Sequence, residues 1–300
     1  MTPIKYHHPN PKDGLVYHEN DSLGYAKYEP IVCKYCGSEN IVKYGIRKGV
    51  QDYLCRDCGR KFNSKGTPAG MQTSKEQIGA SLAMFYDGLS LSDIARQLER
   101  TYNNPVNPST VYRWVLKYTL KALNMLEGLK PDVSDTWVVD ETVIKVGGRK
   151  LWFLDVIDEG TRFLLASYLS ISRGMPDVVT VLYRAWERAD KSPKEIISDS
   201  WGVYPDGIDR VFGSYSKHIK TKGFTSEINT NLIERFHSTL KERTKVLRGF
   251  KTKDTAELIL DGFLINYNFF RPHMTLRGKT PAEVVGISPP VNTWTGVVIH

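Results

Sequence analysis

The chain has 300 residues, 41% hydrophobic and 25% charged, with a formal net charge of +8, which suffices for one large domain or several small ones around a buried core. The positive excess is uneven: residues 217–253 hold ten Lys/Arg against three Asp/Glu, and residues 31–70 hold eight against three. Two basic zones, with no apolar run of membrane-spanning length, point to a polyanionic partner, nucleic acid before membrane.

Residues 1–30 are rich in Tyr, His, Asn and Pro with little periodicity, and are expected to be a flexible arm. They lack the basic start, apolar core and small-residue cleavage site of a secretory signal. An intracellular, cytoplasmic placement is therefore expected, with the arm's histidines in solvent.

All four cysteines fall in one stretch, Cys33, Cys36, Cys55 and Cys58, with the spacing C-x2-C-x18-C-x2-C. Each close pair can present two thiolates from a tight turn relaxed by Gly37 or Gly59, and two pairs complete a tetrahedral zinc site. Between them `IVKYGI` and `QDYLC` alternate like short strands, so a zinc ribbon over 31–66 is expected. Four thiolates leave no open coordination position, which makes that Zn²⁺ structural. Lys43, Arg47, Lys48, Arg56, Arg60 and Lys61 are placed to grip phosphates.

Residues 71–128 change to helical spacing, with Ile78, Leu82 and Phe85, then Ile94 and Leu98, then Val111, Val115 and Leu116. Ser90 or Ser92 can cap the middle helix and `NPST` the next. Ser109, Thr110, Tyr112, Arg113 and Lys117 near the start of the later helix suit a helix-turn-helix module that binds DNA.

After the linker `LEGLKPDVSD`, `TWVVDETVIKV` and `KLWFLDVIDEG` read as strands joined at a Gly-Gly turn, and `RFLLASYLS` as a third. A helix over `MPDVVTVLYRAWERAD`, a short buried strand `KEIISDS`, another strand near `HIKTK`, and helices beginning near 229 and 254 give the order three strands, helix, strand, helix, strand, helix, a mixed, five-stranded α/β arrangement over 133–287. Residues 288–300 are a tail. Asp140 lies inside the first strand and Asp199 at the end of the fourth, where an unpartnered carboxylate is costly. Divalent Mg²⁺ or Mn²⁺ would offset that cost, because hard cations prefer carboxylate oxygens. Glu234, one turn into a basic helix, supplies a third acid in the spacing D-x58-D-x34-E, with Asn229 or Asn231 as its cap.

Four motifs in this order, `VVDET.IKV.G`, `ISDSWGVY`, `LIERFHSTLKERTKVLRGF` and `NYNFFRPHMTLRGKTPAEVVG`, resemble the DDE transposases of small bacterial and archaeal insertion sequences. These share a ribonuclease-H-like core with retroviral integrases. The resemblance runs from Cys33 to about Gly286. It implies that Asp140, Asp199 and Glu234 are catalytic and bind two Mg²⁺ (or Mn²⁺) ions. It also implies double-stranded DNA, both element ends and target, as substrate, a homodimer or larger assembly for synapsis, and a nucleoid-associated location.

Glu234, Ser238, Lys241 and Lys245 fall near one helix face, so Lys241 and Lys245 are expected to hold phosphates. Arg235 and His237 are supporting DNA contacts, with a packed core histidine the equal alternative for His237; Arg243 and Arg248 widen the patch. Glu141, next to Asp140, is expected on the opposite strand face and apart from the metals. Asp155, able to approach Asp140 across the hairpin, and Asp158 stay outside the triad. Trp201 and Tyr204 are expected to pack, as are Tyr267, Phe269 and Phe270. The competing readings are a nuclease that cuts without joining and a domesticated or catalytically silent DNA-binding regulator.

Overall fold

The computed structural model describes residues 15–16, 29–221, 230–247 and 249–299. Most of the arm expected over 1–30 lies outside them; within it, β1 (Leu15–Val16) pairs antiparallel with β2 (Glu29–Pro30). The chain divides into two compact units, 1–75 and 76–300.

In the first unit β3 (Ile41–Arg47), β4 (Val50–Cys55) and β5 (Lys61–Asn63) form an antiparallel sheet in the order β3-β4-β5. Lys48 and Gly49 join β3 to β4, both at positive φ, 49° and 74°. That is the backbone of a two-residue primed turn, whose twist matches the flanking strands. The small core consists of Cys33, Cys55, Tyr53 and Phe62, the two rings stacked with centroids 5.6 Å apart.

The second unit opens with α1 (Lys75–Tyr86), α2 (Leu91–Tyr102) and α3 (Pro108–Leu126). Ser90 caps α2 by accepting from the Asp93 amide, and Asn107 caps α3 through the Ser109 amide. Each satisfies an amide that the first helical turn leaves unpaired.

A five-stranded sheet follows, built from β6 (Thr136–Val146), β7 (Arg149–Asp158), β8 (Leu164–Ser170), β9 (Glu195–Ser198) and β10 (Lys217–Lys220), in the order β10-β9-β6-β7-β8. The first three strands are an antiparallel meander, whereas β9 runs parallel to β6 and β10 parallel to β9. A parallel neighbour needs a crossover; α4 (Met175–Ala189) supplies it from β8 to β9, and α5 (Tyr204–Phe212) from β9 to β10. Gly207 lets α5 lie close on α4, since a methyl there would sit 2.5 Å from Cγ1 of Val178.

The chain then forms α6 (Asn231–Lys245), α7 (Lys253–Ile265), a π-helical turn over 266–270, α8 (Pro281–Val284) and α9 (Trp294–Ile299). The predicted strand and helix order holds through α7. Residues 288–300, expected as a tail, instead end in α9, whose Trp294 is 2% exposed and stacks on Tyr86 of α1 with centroids 4.6 Å apart. Tyr86 also meets Phe263 of α7 edge-on and bonds Thr119 of α3. These helices therefore share a core with the unit that holds the sheet.

Candidate functional site

β6 and β7 align so that Asp140 pairs with Asp155, which in turn pairs with Ser167 on β8. The three side chains form a polar row across the meander. Asp155 is fully buried and accepts from Ser167 Oγ at 2.6 Å and from His237 Nε2 of α6 at 2.9 Å. The other ring nitrogen of His237 lies 3.5 Å from Oδ2 of Asp140. Burial opposes the charged imidazolium, but the two carboxylates outweigh it and raise the His237 pKa to about 9. Burial also pushes the Asp155 carboxyl upward, against the pull of His237. At neutral pH a cationic His237 thus sits between two acids and fixes α6 against the sheet.

Asp199 follows directly after β9, and its Oδ1 accepts from the Trp201 amide at 2.8 Å. Asp140, Glu141 and Asp199 each bring one carboxylate oxygen within 4.8 Å of the others. Glu141 corrects the expectation that it stands apart from the other acids. Its side chain does lie with α5, accepting from Tyr204, and with Arg173 before α4, while Asp140 faces α6. But β9 pairs with β6 only over Thr136–Val138, and Phe250 next bridges that edge at Val146, so between them the edge of β6 has no strand partner among the described residues. Acids from both faces can converge around an open edge, a placement that parity along the strand does not reveal. Burial raises the Glu141 pKa, with Tyr204 and Arg173 pulling it back down.

Glu234 lies in the first turn of α6, preceded by Thr230 rather than by an asparagine cap, and its Oε1 accepts from Thr230 Oγ1 at 2.7 Å. Asn231 is the first helical residue, and Asn229 and Arg248 fall outside the described residues. Arg235, Ser238, Lys241 and Lys245 are exposed on α6. His237 is 4% exposed, which puts it among the acids rather than on the surface expected for a DNA contact. Tyr204 is buried, and Trp201 meets it edge-on at 5.3 Å. Asp158 is consumed locally, accepting from Ser134 and from both the amide and the hydroxyl of Thr161.

In the first unit the four Sγ atoms lie within 4.8 Å of one another, with Cys33–Cys58 and Cys36–Cys55 each at 3.6 Å. Gly37 and Gly59, at φ 74° and 68°, turn each knuckle so that their amides bond back to Cys33 and Cys55. Sulfurs around a tetrahedral zinc at about 2.3 Å would be about 3.8 Å apart, so the donor set fits zinc and is too open for disulfides. Arg47 is exposed and paired with Asp52 at 2.9 Å, and Lys48 is exposed at the hairpin tip. In the second unit Arg113 is exposed on α3 and bonds Thr110 at 2.9 Å.

Residues 134–273, which carry all three expected acids, match the family described as a DDE domain. Over these residues the chain is similar to DDE domains. Over 203 residues the chain is 27% identical to the transposase for insertion sequence-like element IS431mec of Staphylococcus aureus, covering 67% of this chain and 84% of that one. Over 117 residues it is 29% identical to an uncharacterized protein in transposable element ISH50 of Halobacterium salinarum, covering 39% of this chain and 37% of that protein's length. Among solved structures, the HTLV-2 integrase catalytic core domain in complex with magnesium aligns over 53% of this chain and 99% of its own, at 17% identity and a TM-score of 0.39. No helix among the described residues is long and apolar enough to cross a membrane.

Proposed function

We propose that the protein binds the ends of its element and cleaves and joins DNA strands at one metal-dependent site formed by Asp140, Asp199 and Glu234. The observation that carries this reading is the convergence of Asp140 and Asp199, from β6 and from the turn after β9, within the residues that match a DDE domain. Hard carboxylate donors clustered at an open strand edge suit Mg²⁺ or Mn²⁺. When bound, two such ions would activate a water or a DNA 3′-hydroxyl and stabilise the leaving oxygen. The protein's own part is to hold those donors in place. Asp140 is steadied by its strand and by the cationic ring of His237, Asp199 by the Trp201 amide, and Glu234 by Thr230.

Lys241 and Lys245, exposed along the helix that carries Glu234, hold DNA phosphates beside the acids, with Arg235 as a flanking contact. A Zn²⁺ ion held by Cys33, Cys36, Cys55 and Cys58 sets the 31–66 ribbon, whose Arg47 and Lys48 contact the DNA backbone. Residues 71–128 act as a helix-turn-helix module through Arg113, and 133–287 as a ribonuclease-H-like catalytic domain with the sheet order described above. Joining two element ends calls for at least two copies of the site, hence a homodimer or larger synaptic assembly on double-stranded DNA in the cytoplasm, at the nucleoid.

Replacing Glu234 by Gln separates chemistry from binding. With DNA carrying the element's flanking sequences, Glu234→Gln is expected to bind within about twofold of wild type in a mobility-shift titration and to lose strand cleavage in Mg²⁺ by at least about a hundredfold. Cleavage equal to wild type would remove Glu234 from the site.

A further inference from the structure

Asp140 and Asp199 are positioned by unequal means. Asp140 lies within an eleven-residue strand paired along its length with β7, whereas Asp199 lies on the turn that leaves the four-residue β9. Two hydrogen bonds converge on Glu141 of β6 from the side of that turn. Tyr204, at the start of α5 and 0% exposed, donates its hydroxyl to Oε2 of Glu141. Arg173 donates to Oε1 of the same carboxylate. The guanidinium of Arg173 is itself held between two indoles, 4.6 Å from the ring centre of Trp152 on β7 and 4.0 Å from that of Trp201. Trp201 closes the circuit, because its amide is the donor to Asp199.

We infer that Glu141 is a positioning residue: its carboxylate, gripped by Tyr204 and Arg173, clamps the Asp199–Tyr204 turn to β6 and so sets the spacing of Asp140 and Asp199. Both of its oxygens accept from protein donors, and in this role it acts through Asp199. A planar guanidinium stacked between aromatic rings is held in orientation as well as in charge. The inference rests on the proposed reading of Asp140 and Asp199 as metal ligands.

The test is a Mn²⁺ titration of the purified full-length protein, followed by the paramagnetic resonance signal of the free aqua ion, with melting temperature recorded in parallel. Tyr204→Phe and Glu141→Gln are each expected to weaken Mn²⁺ binding about tenfold, and the double variant to be no weaker than about the worse single one, because both break the same clamp. Arg173→Gln, at a partly exposed position, repeats the prediction should Tyr204→Phe fail to fold. If Tyr204→Phe binds Mn²⁺ as tightly as wild type or more so while Glu141→Gln abolishes binding, Glu141 is itself a ligand and the clamp is overturned. Wild-type affinity in every clamp variant, with Asp140→Asn abolishing binding, overturns the clamp alone. Equal binding by wild type and Asp140→Asn overturns the underlying metal-site reading as well.

Discussion

His237 shows how much one side chain's surroundings decide. On a helix wheel it shares α6 with exposed cations; in the fold it is buried between Asp155 and Asp140. Nothing local to `ERFHSTLK` separates these outcomes, because the discriminating partners come from β6 and β7, more than eighty residues earlier for Asp155. Asp140 was legible for the opposite reason: an acid among valines in a strand is anomalous in its own segment. Another acid, the partly buried Asp261 on α7, gives a pH prediction away from the site. Burial raises its pKa to about 6, Glu257 adds to the rise and Arg184 opposes it. Since the folded pKa lies above the unfolded value near 4, ionised Asp261 destabilises the fold above about pH 6 and has no effect below about pH 4. Stability relative to Asp261→Asn should therefore rise by about 1 kcal/mol between pH 7 and pH 5 in urea unfolding. A flat difference across that range would show that the carboxyl titrates normally.

Among the elements, β6 and β7 were readable almost to the residue, since alternation and the Gly147-Gly148 turn, at φ 57° and 76°, fix a hairpin whose register then places Asp140 opposite Asp155. The reach of Glu141 was not readable, because it depends on where β9 stops pairing with β6. Nor was α9, six residues long, whose docking depends on a Tyr86 surface assembled from α1, α3 and α7. For α6 the arrangement of charge is directly testable. Lys241→Ala combined with Lys245→Ala should lower DNA affinity and reduce the slope of log affinity against log salt by about two, as expected for two lost phosphate contacts. An unchanged slope would place both lysines off the DNA.

For the whole molecule, fold and chemistry meet at the open edge of β6. The meander fixes Asp140, the parallel return through β9 delivers Asp199 beside it, and α6 is fastened to the same strands through His237, carrying Glu234 and the lysines. A sheet of this order leaves an edge where acids from separate segments can meet, and the DDE-domain match spans those segments. The most direct measurement is sequencing of new strand junctions formed in Mg²⁺ by purified protein on a plasmid that carries the element's flanking DNA, wild type beside a folded, DNA-binding Asp140→Asn. Junctions at the element ends with wild type, depleted at least about a hundredfold in the variant, are the expected result. Equal junction yields from the two proteins would contradict the assignment of strand transfer to this site.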